Sequence, residues 1–383
     1  MPEFLFWFSL IFIVYTYAGY PALLFVWSRL FPKPVRKAYL KPEPMVSAVI
    51  AARNEEKNIR SRIENLVQQK YPADKLEIIV VSDGSDDATV QIVRSLIEEF
   101  ERDPGRPSLK LIEVAENKGK PNALNRGVRA AKGDYVVFAD ARQKFNDTAI
   151  RQLLANFNDP EVGSVSGELM FLEDAESPVK AEMGFYWGLE KKIRQMESTI
   201  HSLPGATGAI YAIRRELYPT LPSSTLLDDV FIPLSIVLKG FRSVFDGKAQ
   251  AFDVFSKSFS QEKRRKVRTL VGNYQLLSLM PLLLSPAKNK IFLRYLSHKV
   301  FRLFIPFLLF ISIATSILLD GTIYRLFLGG VIFLIVSASI KNYVQKIRFL
   351  NQMSRVSSAF LSLNYFALLA FYIWINPIKK RFW

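Results

Sequence analysis

Four acidic positions carry most of the chemistry this chain could do. Asp83 follows the apolar run Ile78–Val81 and Ser82, and is followed by Gly84-Ser85-Asp86-Asp87. Asp140 closes a second apolar run, Tyr135–Ala139, and Asp228-Asp229 opens a third apolar stretch. Carboxylates at strand ends in one α/β unit offer oxygen ligands to hydroxyl groups and to a metal ion, as a nucleotide-sugar diphosphate requires. An adjacent acidic pair can also supply a general base, with one member raising the pKa of the other. Each feature has a plainer reading. Asp-Gly favours a turn, and two carboxylates in a first helical turn suit the helix dipole. Lys120 opens a predicted helix, where a cation is disfavoured, and this argues for a phosphate or nucleotide partner. Arg264, Arg265 and Arg268 either clamp a leaving diphosphate or form a juxtamembrane patch for anionic lipid. Trp187 is either a stacking platform for an acceptor sugar or a core residue. The chain has no cysteine, which excludes disulfides, thiolate metal sites and a cysteine nucleophile. Its two histidines are too few for a histidine metal site, and His201 reads as structural.

Alternating strands and helices must hold these residues. Val46–Ala52, Ile78–Val81 and Tyr135–Ala139 are apolar runs of strand length, and Leu109–Val114 reads as a further strand. Between them, Ile59, Ile63, Leu66 and Val67 share one helical face, as do Val90, Val93, Leu96, Ile97 and Phe100, and Asn122–Ala131 forms a third helix. This alternation predicts an α/β fold with a mostly parallel sheet, whose ligands bind at the carboxyl ends of the strands. After Asp140 the pattern loosens. It gives a helix at Thr148–Phe157, strands at Val162–Ser166 and Ala209–Ile213, and a loop at Pro204–Gly208 that contains Thr207.

The 383 residues are half hydrophobic, with a formal net charge of +16. Leu5–Trp27, Leu303–Leu319, Ile323–Ile340 and Ala359–Ile375 are long enough to cross a bilayer, which takes about 20 residues. Glu3 at the start, and Arg29, Lys33, Arg36, Lys37 and Lys41 after the first run, argue for an uncleaved anchor rather than a signal peptide. They place the following domain in the cytoplasm by the positive-inside rule. Lys341, Lys346, Arg348 and Arg355 suit a cytoplasmic loop before the last span. Lys379, Lys380 and Arg381 then fall outside, against the rule, so the tail is an exception or one segment is re-entrant. Lys263–Leu284 is basic first and amphipathic later, as an interfacial helix would be. With apolar spans present, the basic charge points to lipid and phosphate, not to nucleic acid.

In order along the chain, these motifs resemble those of the family 2 inverting glycosyltransferases. The resemblance is to the membrane-bound branch that includes cellulose, hyaluronan and poly-N-acetylglucosamine synthases. Ala51-Ala52-Arg53-Asn54-Glu55, Ser82-Asp83-Gly84-Ser85, Asn117–Asn125, Asp140-Ala141-Arg142 and Leu227-Asp228-Asp229 stand where the family has its motifs. The resemblance implies a GT-A-type domain at residues 42–260, with a transmembrane helix at 1–30. It implies interfacial helices at 261–300 and a C-terminal transmembrane region at 301–383. It implies nucleotide contacts from Ala52, Glu55, Asp83, Lys120 and Asp140, with Asp83 on the uracil. Asp229 would be the catalytic base, supported by Asp228. Arg142, Thr207, Arg265 and Arg268 would meet the diphosphate or the acceptor.

Two motifs depart from the family pattern. Arg142 replaces the last carboxylate of the Asp-x-Asp motif, a metal ligand in relatives, so Asp140 alone remains for Mg²⁺ or Mn²⁺. The Gln-x-x-Arg-Trp motif lacks its Trp. In the register Arg265–Thr269, favoured because Gly272 and Gln275 then match related synthases, Thr269 takes its place. In the register Gln261–Arg265, Arg265 does.

The expected protein is an integral membrane enzyme of a bacterial cytoplasmic (inner) membrane, with its domain in the cytoplasm. It would move a sugar from a nucleotide sugar, UDP-linked by preference, to a glycan. The alternatives are single-sugar transfer to a lipid acceptor, such as a polyprenyl phosphate, and a non-catalytic membrane partner retaining the fold.

Overall fold

The computed structural model describes residues 1–172, 178–254, 259–341, 343–344 and 347–376. Eight strands form one sheet: β1 (Val46–Ala52), β2 (Leu76–Asp83), β3 (Ser108–Val114), β4 (Tyr135–Ala139), β5 (Lys144–Phe145), β6 (Val162–Phe171), β7 (Ile210–Arg214) and β8 (Arg242–Asp253). Their order is β3-β2-β1-β4-β7-β6-β8-β5. The β3-β2-β1-β4 half is parallel throughout, as the sequence predicts. The other half is mixed, because β7 runs antiparallel to both β4 and β6 while β8 runs parallel to β6. Strands β1, β2, β4, β6 and β8 therefore all point their carboxyl ends the same way. Asp83, Asp140 and Asp253 lie at that edge.

The inner parallel strands β1, β2 and β4 are covered on both faces, which is why they read as mostly apolar runs. Helices α2 (Ile59–Val67) and α3 (Thr89–Glu101) bury Ile59, Ile63, Leu66, Val93 and Leu96 against Ala48, Ile50, Ile78 and Val80. Helix α4 (Lys120–Ala130) and helix α7 (Asp228–Leu238) cover the opposite face, where Val49, Ile79, Val81, Leu124, Ile232 and Leu234 meet. Helix α5 (Ala149–Ala155) lies between them in sequence, as does the long α6 (Pro178–Ile200).

Helix α1 (Pro2–Leu30), which contains a π-turn at Tyr15–Gly19, α9 (Phe292–Leu318), α10 (Thr322–Ser339) and the stretch Phe349–Ile375 of α11 (Arg348–Ile375) are long and apolar enough to cross a membrane. A membrane-length helix falls on each expected span, and all four helices begin earlier than hydropathy alone suggested, the third by one residue. The charges expected of Lys346, Lys379, Lys380 and Arg381 fall outside the described residues. Helix α8 (Phe259–Leu279) gives way at Met280 to a short 3₁₀ turn, Pro281–Leu284, so the predicted single helix to Leu284 is broken at a proline.

A charged seam ties α6 to the membrane-length helices. His298 sits between Glu190 (2.6 Å) and Glu197 (2.8 Å), and Arg302 donates to Glu190 at 2.9 Å. The Tyr20 hydroxyl donates to Glu197 at 2.5 Å.

Candidate active site

The carboxyl edge of the sheet is shaped first by its loops. The loops after β1 and β2 are knitted together. Asn54 donates its amide to Ser85 Oγ and accepts from the Asp86 amide, while the Glu55 amide donates to Thr89 Oγ1. Gly84 has φ +64°, and a Cβ there would stand 2.5 Å from the Asn117 nitrogen, so the turn demands glycine. That close approach brings the loop before α4 onto Asp83. Asp83 is fully buried, and its two carboxylate oxygens accept the amides of Lys118 (2.9 Å) and Gly119 (2.7 Å). In this form Asp83 holds a loop of the site, and Ala52 is buried beside it at the end of β1.

Asp83 thus anchors the start of α4, whose first residue is Lys120. The Lys120 ammonium stands 3.1 Å from Asp140 and 3.3 Å from Asp228. Burial acts to lower its pKa, but Asp140, Asp228 and Asp229 outweigh burial and hold it above the ordinary lysine value. The odd placement of a cation at a helix start is therefore explained by three carboxylates that converge on it.

Asp228 and Asp229 open α7. Asp228 is 6% exposed and receives the Tyr211 hydroxyl at 3.4 Å. The Tyr211 ring is stacked on Phe138 of β4 at 4.5 Å. Asp229 accepts the Gly208 amide at 3.1 Å through its side chain and the Ala206 amide at 2.7 Å through its carbonyl. Burial and the adjacent Asp228 carboxylate push the Asp229 pKa up to about 6, against the opposing pull of Lys120 and Arg268. The neighbouring Thr207 accepts from Arg194 of α6, and Arg194 also donates to Ser166 Oγ of β6 at 2.7 Å.

Helix α8 closes the site from behind. Gln275 accepts the Leu226 amide at 3.0 Å and donates to the Ser224 carbonyl at 2.7 Å, so it clamps the loop that delivers Asp228. Gly272 lets the helix approach. A Cβ there would fall 2.4 Å from Leu227 Cγ, an overpacking that typically costs about 1–3 kcal/mol. Arg268 is close enough to Asp229 to lower its pKa. Arg265 instead faces Glu262 at 3.7 Å, and Thr269 is exposed. Trp187 packs with its ring tilted against Phe171 at 5.4 Å, with the Lys266 ammonium 4.6 Å over its ring.

Asp253 could not be foreseen from the motifs. It ends β8, is 4% exposed, and accepts from Arg142 (2.5 Å), Gln143 (2.8 Å) and the Val254 amide (2.8 Å). Arg142 is therefore a held cation next to Asp140. Glu55, near both, has its pKa raised by burial and Asp140, against the Asn58 hydrogen bond and Arg142. Among the described residues no group of three His, Cys, Asp or Glu side chains could hold a metal ion. The Asp140 side chain is 38% exposed and offers one carboxylate between two cations, Lys120 and Arg142. These residues fit only a divalent ion that takes its remaining ligands from a diphosphate and water.

A mixed GT-A-type sheet with acidic strand ends and flanking membrane-length helices defines a class, and the comparisons agree. The chain belongs to the family 2 glycosyltransferases: the description "Glycosyl transferase family group 2" matches residues 135–374, and "Glycosyl transferase family 2" matches residues 47–221. It is similar to the poly-beta-1,6-N-acetyl-D-glucosamine synthase of Staphylococcus aureus, at 23% identity over 61% of this chain and 55% of that one. It is also similar to the probable glycosyltransferase YdaM of Bacillus subtilis, at 28% identity over 63% of this chain and 58% of that one. The matches thus span little more than half the length of these curated relatives. In fold it resembles a mannosyltransferase from Pyrobaculum calidifontis, solved with GDP-Man and Mn²⁺. That likeness has a TM-score of 0.69 and 21% identity, and covers 95% of this chain and 99% of the other.

Proposed function

We propose that the protein transfers a sugar with inversion from a nucleotide sugar, UDP-linked by preference, to a glycan acceptor, as a polysaccharide synthase-like enzyme. The observation that carries the reading is the convergence of Asp140, Asp228 and Asp229 on Lys120, with Asp229 raised to about 6. At neutral pH such a group is mostly ionised yet basic enough to take a proton, the balance general-base catalysis favours.

In the proposed reaction Asp229 accepts the proton of the acceptor hydroxyl. The acceptor oxygen bonds to the anomeric carbon, and the bond from that carbon to the β-phosphate oxygen breaks, so that the nucleoside diphosphate leaves with the electron pair. Lys120, Arg142 and Arg268 meet the charge on the departing diphosphate. A divalent ion, where bound, would be held by Asp140 and would neutralise diphosphate charge. Glu55, Asp83 and Ala52 line the nucleoside end, and Asp83 acts there through the loop it holds. Thr207 and Arg265 remain candidates for acceptor or diphosphate contact. The domain faces the cytoplasm, and the membrane is the inner membrane of a bacterium.

A second reading, a single sugar added to a lipid acceptor, is favoured by Thr269, which offers no aromatic platform for a growing chain. Purified full-length protein given UDP- and GDP-sugars and extracted membrane lipids separates the readings by product mass. Long glycans formed before donor is depleted support the synthase. A single sugar on an extractable lipid, with no longer species at any time, overturns it.

A further inference from the structure

A cavity lies at the opposite end of the sheet from Asp140 and Asp253. Its volume is about 340 Å³, and it opens among Lys33, Glu161, His201, Lys239, Phe241 and Lys290, near the amino ends of β6 and β8. These residues are far apart in sequence, and two of them mark helix ends. Lys33 follows α1, which ends at Leu30, and Lys290 precedes α9, which begins at Phe292. Leu30, Phe31, Leu284 and Leu293 near those ends are exposed apolar side chains, as expected of protein that meets the edge of a bilayer.

The polar lining is cationic. Three ammonium groups face one carboxylate, Glu161, which pairs with Lys33. Lys239 spends one hydrogen on the Leu217 carbonyl at 3.0 Å and has two more to give. Lys290 makes no hydrogen bond or ion pair with any described residue. His201 uses Nδ1 on Ser202 at 2.9 Å, and its Nε2 has no partner among the described residues. Burial first, then Arg294, Arg242, Lys33 and Lys290, push this imidazole down to about 4, so it is neutral at pH 7. The cavity therefore has a positive field and ready donors.

We propose that this cavity binds a phosphate group, and that its source is the head group of an anionic phospholipid seated where α1 and α9 meet the domain. Lysine binds phosphate as a point charge without needing a fixed fork geometry. Free phosphate shares that chemistry, but the position at two membrane-helix ends and the exposed leucines beside it favour the lipid. The site is separate from the glycosyl-transfer centre, and its test does not depend on activity.

The test uses full-length protein in detergent. Native mass spectrometry with added phosphatidylglycerol or phosphatidylcholine measures lipid retention. Lys239→Gln/Lys290→Gln is expected to weaken phosphatidylglycerol retention by roughly tenfold or more, given the usual contribution of each lysine near an anionic surface. Phosphatidylcholine should be held weakly by both proteins, and Lys70→Gln/Lys75→Gln should behave as wild type. Histidine NMR gives an independent reading, because the chain has only two histidines. Phosphatidylglycerol should raise the His201 pKa, with the signal assigned by its loss in His201→Gln. Equal retention by the wild type and the Lys239/Lys290 variant, or no movement of His201, overturns the site. A His201 response to inorganic phosphate matching that to lipid overturns the lipid as the source.

Discussion

The Lys120 ammonium lies 3.3 Å from the Asp228 carboxylate, joining the first residue of α4 to the first residue of α7. The two helices cover the same face of the sheet, and their amino ends meet at this pair. Loss of one partner from a mostly buried pair typically costs about 3–5 kcal/mol, because it strands the other charge. Lys120→Met should therefore weaken UDP binding, measured by calorimetry, and also lower the melting temperature. UDP affinity and melting temperature both equal to wild type would remove Lys120 from the site.

Asp229→Asn keeps the shape of the side chain and removes the proposed base. Turnover should fall by roughly 10²–10⁴-fold, the range for a positioned proton acceptor, while donor binding stays near wild type. Near-normal turnover by the folded variant would count against Asp229.

The pH profile follows from the direction of the Asp229 shift. The base works only when ionised, and burial and Asp228 raise its pKa to about 6. Activity should therefore rise with pH through about 6 and level off above it. Asp228→Asn removes the neighbouring like charge and should move that acid limb to lower pH, whatever it does to the plateau. A limb that stays in place would mean another group sets it.

Arg142 and Asp253 give a metal prediction. Arg142→Asp restores a paired carboxylate two residues from Asp140 and removes a fixed cation. The wild type should lose less activity on chelation than this variant, and the variant should respond more steeply to added Mn²⁺. Complete loss of wild-type activity on chelation, restored by micromolar Mn²⁺, would contradict the prediction.

Asp83→Ala should act through the loop. It deletes the acceptor for the Lys118 and Gly119 amides, so amide exchange at those residues should speed up and donor affinity should drop together. Faster exchange with unchanged affinity would separate the loop from nucleotide binding.

The inner parallel strands β1, β2 and β4 were readable because they are buried on both faces and are mostly apolar runs. β8 was not readable. Arg242–Asp253 holds Asp246, Gly247, Lys248 and Gln250, and its burial alternates only because β6 lies beside it and β5 pairs with its end. The long α6 was hidden for a similar reason, since Glu190, Arg194 and Glu197 are polar residues satisfied only by distant partners. In the candidate site, motif order named Asp140, Lys120 and Asp229, which the fold brings together. It could not reveal that the oxygens of Asp83 serve backbone amides, or that Asp253 balances Arg142. One signal was available: an arginine in an acidic motif needs a counter-charge, and the isolated Asp253 after an apolar pair was a candidate.

The seam of Glu190, Glu197, His298 and Arg302 bears on how the protein can be handled. Burial alone would raise the Glu190 pKa, yet His298 and Arg302 hold it well below the usual carboxylate range. Both residues belong to the segment from Phe292 to Leu318, and Tyr20 completes the seam from the first membrane-length helix. A fragment trimmed to the sheet and its covering helices would leave two acidic side chains of α6 bare on a surface shaped to receive helices. The sheet domain is thus tied to its membrane-length helices through these buried groups, and truncation that removes the helices is expected to destabilise α6.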